Sequence, residues 1–227
     1  MRMLAVYHKG EAVRFVSHLD VQRTLHRAFR RAKAPLAYSA GFNPHPELSF
    51  ASALPTGASS DCEWFEVELT EDMAPEQFLR AVNAALPGGF FLSDAQPMPE
   101  GVKTLSALTR AAEYRITALL DRPVTQQQAE EALSALLSGE IVVNKRTKSG
   151  VRPVDIRPQI MRASVEGIEG HALSLRVLGK LQADGGLRAE LLMGALFDRL
   201  DASGSLRIHR SAMYFASDGS LPRIPLD

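Results

Sequence analysis

Apolar residues recur at Val21, Leu25, Ala28, Phe29 and Ala32, a spacing that gathers them into one stripe along an α-helix. Ser17 stands ahead of the stripe as a helix cap, and Asp20 three residues on completes a variant capping box. Pro35 is expected to end the helix. The opposite face carries Arg23, Arg27, Arg30 and Arg31, so guanidinium groups point outward along about two turns. Residues 2–8 before the helix read as a strand. Between Ala37 and Leu54, short apolar runs flank a turn rich in glycine, asparagine and proline, which predicts a strand on each side. Cys62 to Leu69 alternates acidic with apolar residues, the pattern of a strand with one wet face. A helix from Pro75 to Leu86, stopped by Gly88 and Gly89, and a strand from Phe90 to Ser93 follow. The order β-α-β-β-α-β is the split βαβ arrangement.

The pattern nearly repeats downstream. Ala112 to Leu120 reads as a strand, and Thr125 to Leu137 as a helix capped by Thr125 with Gln128 in the box position. Ile141 to Val143 is a short strand, Lys145 to Pro153 a polar basic loop, and Ile156 to Val165 and His171 to Leu178 are strands. Leu187 to Leu200 is a helix and Leu206 to Phe215 a closing strand. The fold class expected is α+β: two tandem ferredoxin-like domains with antiparallel sheets, at 1–94 and 111–216. A linker over 95–110 carries Pro97, Pro99 and Gly101, and a tail occupies 217–227. The halves share no residue-level repeat.

Composition narrows the function classes. With 45% hydrophobic and 23% charged residues, the chain is neither disordered nor fibrous. No run approaches a membrane span and the first residues do not form a signal peptide, so a cytoplasmic protein is expected. The single cysteine, Cys62, forbids an internal disulfide or a cysteine-built metal cluster within this chain, so no metal or cofactor is expected. Net charge is zero, but unevenly placed. His8 to Lys33 carries seven basic and two acidic residues, Asp61 to Phe78 seven acidic and no basic, and Glu140 to Arg162 six basic and two acidic. Such blocks either build a positive face for an anionic partner or neutralise one another.

The candidate binding residues follow from that placement. Arg14, Arg23, Arg27, Arg30 and Arg31 offer cations for phosphates, and Lys145, Arg146 and Lys148 in the second basic segment offer more. Next to the arginine helix, Tyr38, Phe42, Asn43 and His45 combine stacking rings, an amide and a titratable imidazole in a proline-bounded turn. The bland alternative is a rigid loop that only routes the chain. Ser17, His18 and Asp20 form a possible further site, although His18 and His26 lack metal-ligand spacing and read as surface histidines. Asp184, Gly185 and Gly186 could cradle a phosphate at a helix start or simply turn the chain. Catalytic residues are not assigned.

The runs Arg14-Phe15-Val16-Ser17-His18-Leu19-Asp20, Ala28-Phe29-Arg30-Arg31-Ala32, Tyr38 to Pro46, Leu48-Ser49-Phe50 and Leu54-Pro55-Thr56-Gly57 closely resemble the bacterial radical-SAM-linked protein family. That family is a domain of unknown function, standing alone or at the C-terminal end of radical S-adenosylmethionine proteins. The three-cysteine motif of those enzymes is missing here, so the resemblance is to the linked domain. It implies a radical S-adenosylmethionine protein as partner. Combined with the basic helix, it leads to an RNA-binding or substrate-presenting module, without catalysis of its own, acting on tRNA, rRNA or a ribosome-linked substrate. Two alternatives remain at this point: a protein-docking subunit using the acidic strand Asp61 to Glu71, and a metal-independent ribonuclease with His18 or His45 as acid or base.

Overall fold

The strand that opens the chain, β1 (Arg2–Lys9), is buried on both faces from Met3 to Tyr7. Met3, Ala5 and Tyr7 share one face and pack into the core, and the fully buried Lys9 follows at the same spacing. In a computed structural model, residues 1–98, 101, 103–147, 150–182 and 185–216 are described, with the backbone alone at 146 and 147. After β1 come α1 (His18–Arg31), β2 (Leu48–Phe50), β3 (Ala58–Glu68), α2 (Pro75–Asn83), β4 (Phe90–Pro97) and a one-turn helix α3 (Leu105–Leu108). They are followed by β5 (Thr109–Leu120), α4 (Gln126–Leu137), β6 (Val142–Thr147), β7 (Gly150–Asp155), β8 (Ile160–Glu169), β9 (Ala172–Gln182), β10 (Gly185–Gly186), α5 (Ala189–Leu200) and β11 (Gly204–Phe215). The result is a mixed α/β fold, with antiparallel pairing of β1 to β3 and β4, of β2 to β3, and of β9 to β5 and β8.

Two compact units are present among the described residues: those of 1–110 with 212–216, and those of 111–211. In the first, β4, β1 and β3 lie side by side, and β2 joins β3. Its core is aromatic. Phe29 of α1 packs 5.8 Å, centroid to centroid, from both Phe65 of β3 and Phe78 of α2. Burying each such side chain contributes about 1.5–3 kcal/mol, which is why α1 turns its Val21-Leu25-Ala28-Phe29 stripe to the sheet. In the second unit, β11 as far as Ser211, β5 from Ala111 and β9 run in order, and β8 and β10 join β9. α4 begins with the full Thr125–Gln128 capping box.

Several elements differ from the sequence expectation for identifiable reasons. Helix α1 stops before Pro35: Lys33 adopts φ +53, and the amides of Lys33 and Ala34 donate to the carbonyls of Arg30 and Phe29. That is a Schellman ending with lysine where glycine is usual. Only β2 follows the Asn-Pro turn as a strand; the segment before it makes single bridges, Leu36 to Leu69 and Tyr38 to Pro46. The expected basic loop Lys145 to Pro153 is instead the β6–β7 hairpin, in which Lys145 faces Arg152. Strand β4 extends to Pro97 and α3 occupies 105–108, so both enter the stretch read as linker. Gly185 and Gly186 pair with β9 as β10, and α5 begins only at Ala189; Asp184 lies outside the described residues.

Candidate nucleic-acid interface

The candidate residues centre on α1. Its cap forms as the sequence predicts: the Ser17 hydroxyl accepts from the Asp20 amide and donates to the Asp20 carboxylate at 2.7 Å. Arg23 donates to the other Asp20 oxygen at 2.9 Å. The Ser17 hydrogen bond first, then Arg23, hold the Asp20 carboxyl below its ordinary 3.8. Arg23 is therefore engaged with its own helix. Arg27, Arg30 and Arg31 are exposed and form no hydrogen bond or ion pair with a described residue.

Ahead of α1, the Arg14 guanidinium pairs with Glu11 and lies 4.5 Å from the centroid of the Phe15 ring. The Arg14 carbonyl accepts twice, from the Lys9 ammonium at 2.7 Å and the Gly57 amide at 2.8 Å. Three distant segments are thereby fastened together: the end of β1, the Arg14–Asp20 run and the Leu54–Gly57 turn. Lys9 and Glu63 are each 1% exposed, on adjacent strands and the same sheet face. Burial lowers the Lys9 pKa from 10.5, and the negative Glu63 opposes that shift. His18 packs edge-on against Phe50 of β2, 4.7 Å between centroids, with its Nδ1 buried and unpartnered. Burial lowers its pKa, Glu63 opposes this and Lys9 reinforces it.

The turn after α1 is a tight hairpin-like loop. Ser39 and His45 pair through backbone, as do Ala37 and Glu47. His45 Nδ1 lies 2.9 Å from the Ser39 hydroxyl, which also accepts from the His45 amide. Phe42 at the tip, beside Gly41 at φ +132, is wholly exposed, and Tyr38 and Asn43 are exposed too. His26 of α1 has a buried, unpartnered Nε2; burial, and then the nearby His45, lower its pKa. The basic helix and the loop are thus neighbours, as that coupling requires. Beside the loop opens a cavity of about 290 Å³ lined by His45 to Ser49, Glu66 to Glu68, Arg2 and Thr104.

The sequence expectations fare unevenly. His18 and His26 are half-buried where surface rings are expected, each with one ring nitrogen buried, and His18 packs against Phe50. The acidic strand does not present its charges as a block: Glu63 is buried with Lys9, Glu66 is buried in an ion pair with Arg2, and Asp61 binds His8 at 3.2 Å. Lys145 is half-buried in β6, the Arg146 side chain is not described, and Lys148 lies outside the described residues. Sequence reading passed over Lys9, Glu63 and Phe15. The signal for the first two was parity: Lys9 continues Met3-Ala5-Tyr7, and Glu63 shares a face with Phe65 and Val67. Phe15 left no such signal. Among the described residues no histidine, cysteine and carboxylate group is arranged to hold a metal, and no helix is long and apolar enough to cross a membrane.

Comparison with known proteins places this geometry in context. Among solved structures the chain is similar to a Cbf5–Nop10–Gar1 complex, with 13% identity, a TM-score of 0.58, and coverage of 93% of this chain and 48% of the other. It is also similar to an archaeal box H/ACA sRNP Nop10–Cbf5 complex, at 12% identity and TM-score 0.52, with 93% and 47% covered. An H/ACA RNP bound to a substrate RNA containing 2′-deoxyuridine matches at 12% identity and TM-score 0.53, again with 93% and 47% covered. The likeness is one of fold, and this chain spans about half the length of the chains it matches. No curated protein matches it. A family's sequence model matches residues 2–188, and the chain belongs to that family, described as uncharacterized protein conserved in bacteria (DUF2344).

Proposed function

We propose that the chain is an RNA-binding module built from two ferredoxin-like units, and that α1 with the following loop grips single-stranded RNA. The observation that carries this reading is the exposed row Arg27, Arg30 and Arg31, free of ion pairs with described residues, together with a following loop whose tip holds Phe42 in solvent. Unpaired guanidinium groups attract phosphates, and exposed rings stack on bases. Tyr38 and Asn43 extend the contact surface, whereas the ring of His45 ties the loop together through Ser39. The basic segment with Lys145, Arg146 and Lys148 is proposed as a second contact, of which the structure describes the Lys145 side chain on β6. The strand orders β4-β1-β3-β2 and β11-β5-β9-β8 support the two ferredoxin-like units. The fold likeness to an H/ACA RNP bound to substrate RNA is consistent with an RNA partner, tRNA or rRNA. A radical S-adenosylmethionine protein as the enzyme served by that RNA rests on the motif resemblance alone.

Docking through the acidic strand is disfavoured, since Glu63 and Glu66 are buried with basic partners. Equilibrium binding of labelled RNA across a salt series tests the proposal. Each phosphate contact on a single strand adds about 0.7 to the slope of log affinity against log salt. Arg27→Ala with Arg30→Ala should weaken binding and reduce the slope by about 1.4. Unchanged affinity and slope would refute it.

A further inference from the structure

Among the described residues Phe15 is the most exposed aromatic ring outside the loop, at 68%, and a buried lysine helps to hold it there. Its backbone is fixed through the preceding carbonyl, which takes a hydrogen bond from a buried lysine and another from Gly57. A buried ammonium costs desolvation, so this anchor is an expensive way to hold a surface loop. The Arg14 guanidinium, neutralised by Glu11, lies over one face of the ring and fixes its tilt. Gly57, at φ +92, places no side chain beside the ring edge. The outcome is a preorganised flat apolar surface just ahead of the helix that carries the unpaired arginines.

We propose that Phe15 is a base-stacking platform, taking one unpaired nucleobase of an RNA strand whose phosphates run along α1. This rests on the RNA-binding reading above and adds to it a stacking site at the start of α1, which deepens the preference for single-stranded over duplex RNA because a paired base presents no free face. Arg14 acts as a positioning residue, since its charge is already spent on Glu11. The helix is about 20 Å long at 1.5 Å per residue, so one strand can reach both Phe15 and the arginine row.

The test uses the full chain with fluorescein-labelled oligoadenylate, alone and paired with oligouridylate, and a version carrying 2-aminopurine, whose emission is quenched on stacking. Phe15→Leu should bind the single strand about tenfold more weakly and show weaker quenching, with duplex binding and salt slope unchanged. Phe15→Trp should restore both. A Phe15→Leu protein that binds and quenches like the parent, with the same salt slope, overturns the platform while leaving the arginine contact standing. A parent chain with no salt-dependent affinity for either probe removes both. Because the side chain is exposed, melting of the two variants should match the parent.

Discussion

Replacing Lys9 by methionine keeps the volume of the side chain and removes its charge. Lys9 is 1% exposed, donates to the Arg14 carbonyl at 2.7 Å, and lies beside the equally buried Glu63. Removing the charge deletes a charge-assisted hydrogen bond to the Arg14 carbonyl together with the attraction of Glu63, a cost of about 1.5–3 kcal/mol. The Arg14 carbonyl retains the Gly57 amide, which places the expected cost toward the lower end of that range. Lys9→Met with Glu63→Gln removes both charges and should recover part of the loss. Urea unfolding followed by the fluorescence of Trp64, the only tryptophan and a member of β3, reports the first unit directly. The sign of the pH effect is also fixed. Because the folded-state pKa lies below 10.5, the unfolded chain holds this proton longer, so stability rises as pH climbs from the lowered value toward 10.5. The methionine variant should lack that rise. A single variant within about 1 kcal/mol of the parent, or a double variant no better than the single, would refute the buried-pair reasoning.

Three other outcomes follow from the same structure. Burial lowers the pKa values of His18 and His26, so the unfolded chain takes up their protons first and stability falls as pH drops below 6.5; His26→Gln should flatten the decline in urea midpoint by up to one proton, and an unaltered decline contradicts it. Lys33→Gly relieves the left-handed backbone at φ +53 and should add about 0.5–1 kcal/mol, raising the melting temperature by about 2–4 °C, where a lowered temperature would contradict the Schellman assignment. A Cβ on Gly204 would meet the Leu119 carbonyl oxygen at 2.3 Å, so Gly204→Ala should cost about 1–3 kcal/mol, read as faster hydrogen exchange in β5.

The parts of the fold legible in the sequence are those set by local chemistry. Ser17 and Thr125 announce their helices because a cap satisfies amides within three residues, and the α1 stripe announces its buried face by spacing alone. The end of α1 was hidden, since nothing in a lysine advertises a left-handed backbone. The β6–β7 hairpin was hidden because its two strands place like charges, Lys145 and Arg152, opposite each other where an apolar alternation would normally mark the pairing. At the site, the arginine row and the Phe42 tip were readable from helix periodicity and turn residues. Lys9 and Glu63 were not, because charged residues are read as solvated unless the strand's parity is followed to its last position. Whether the acidic segment formed a negative face depended on long-range pairing of Glu66 with Arg2, which no local pattern encodes.

The central claim is that α1 and its loop bind RNA. It is tested most directly by purifying tagged protein from its native cells after cross-linking and sequencing the RNA and identifying the proteins recovered, beside an Arg27→Ala, Arg30→Ala control. The account predicts a defined class of RNA, cross-linked to the parent chain and lost in the control. Recovery of a protein partner alone, through nuclease treatment and equally in the control, would contradict it.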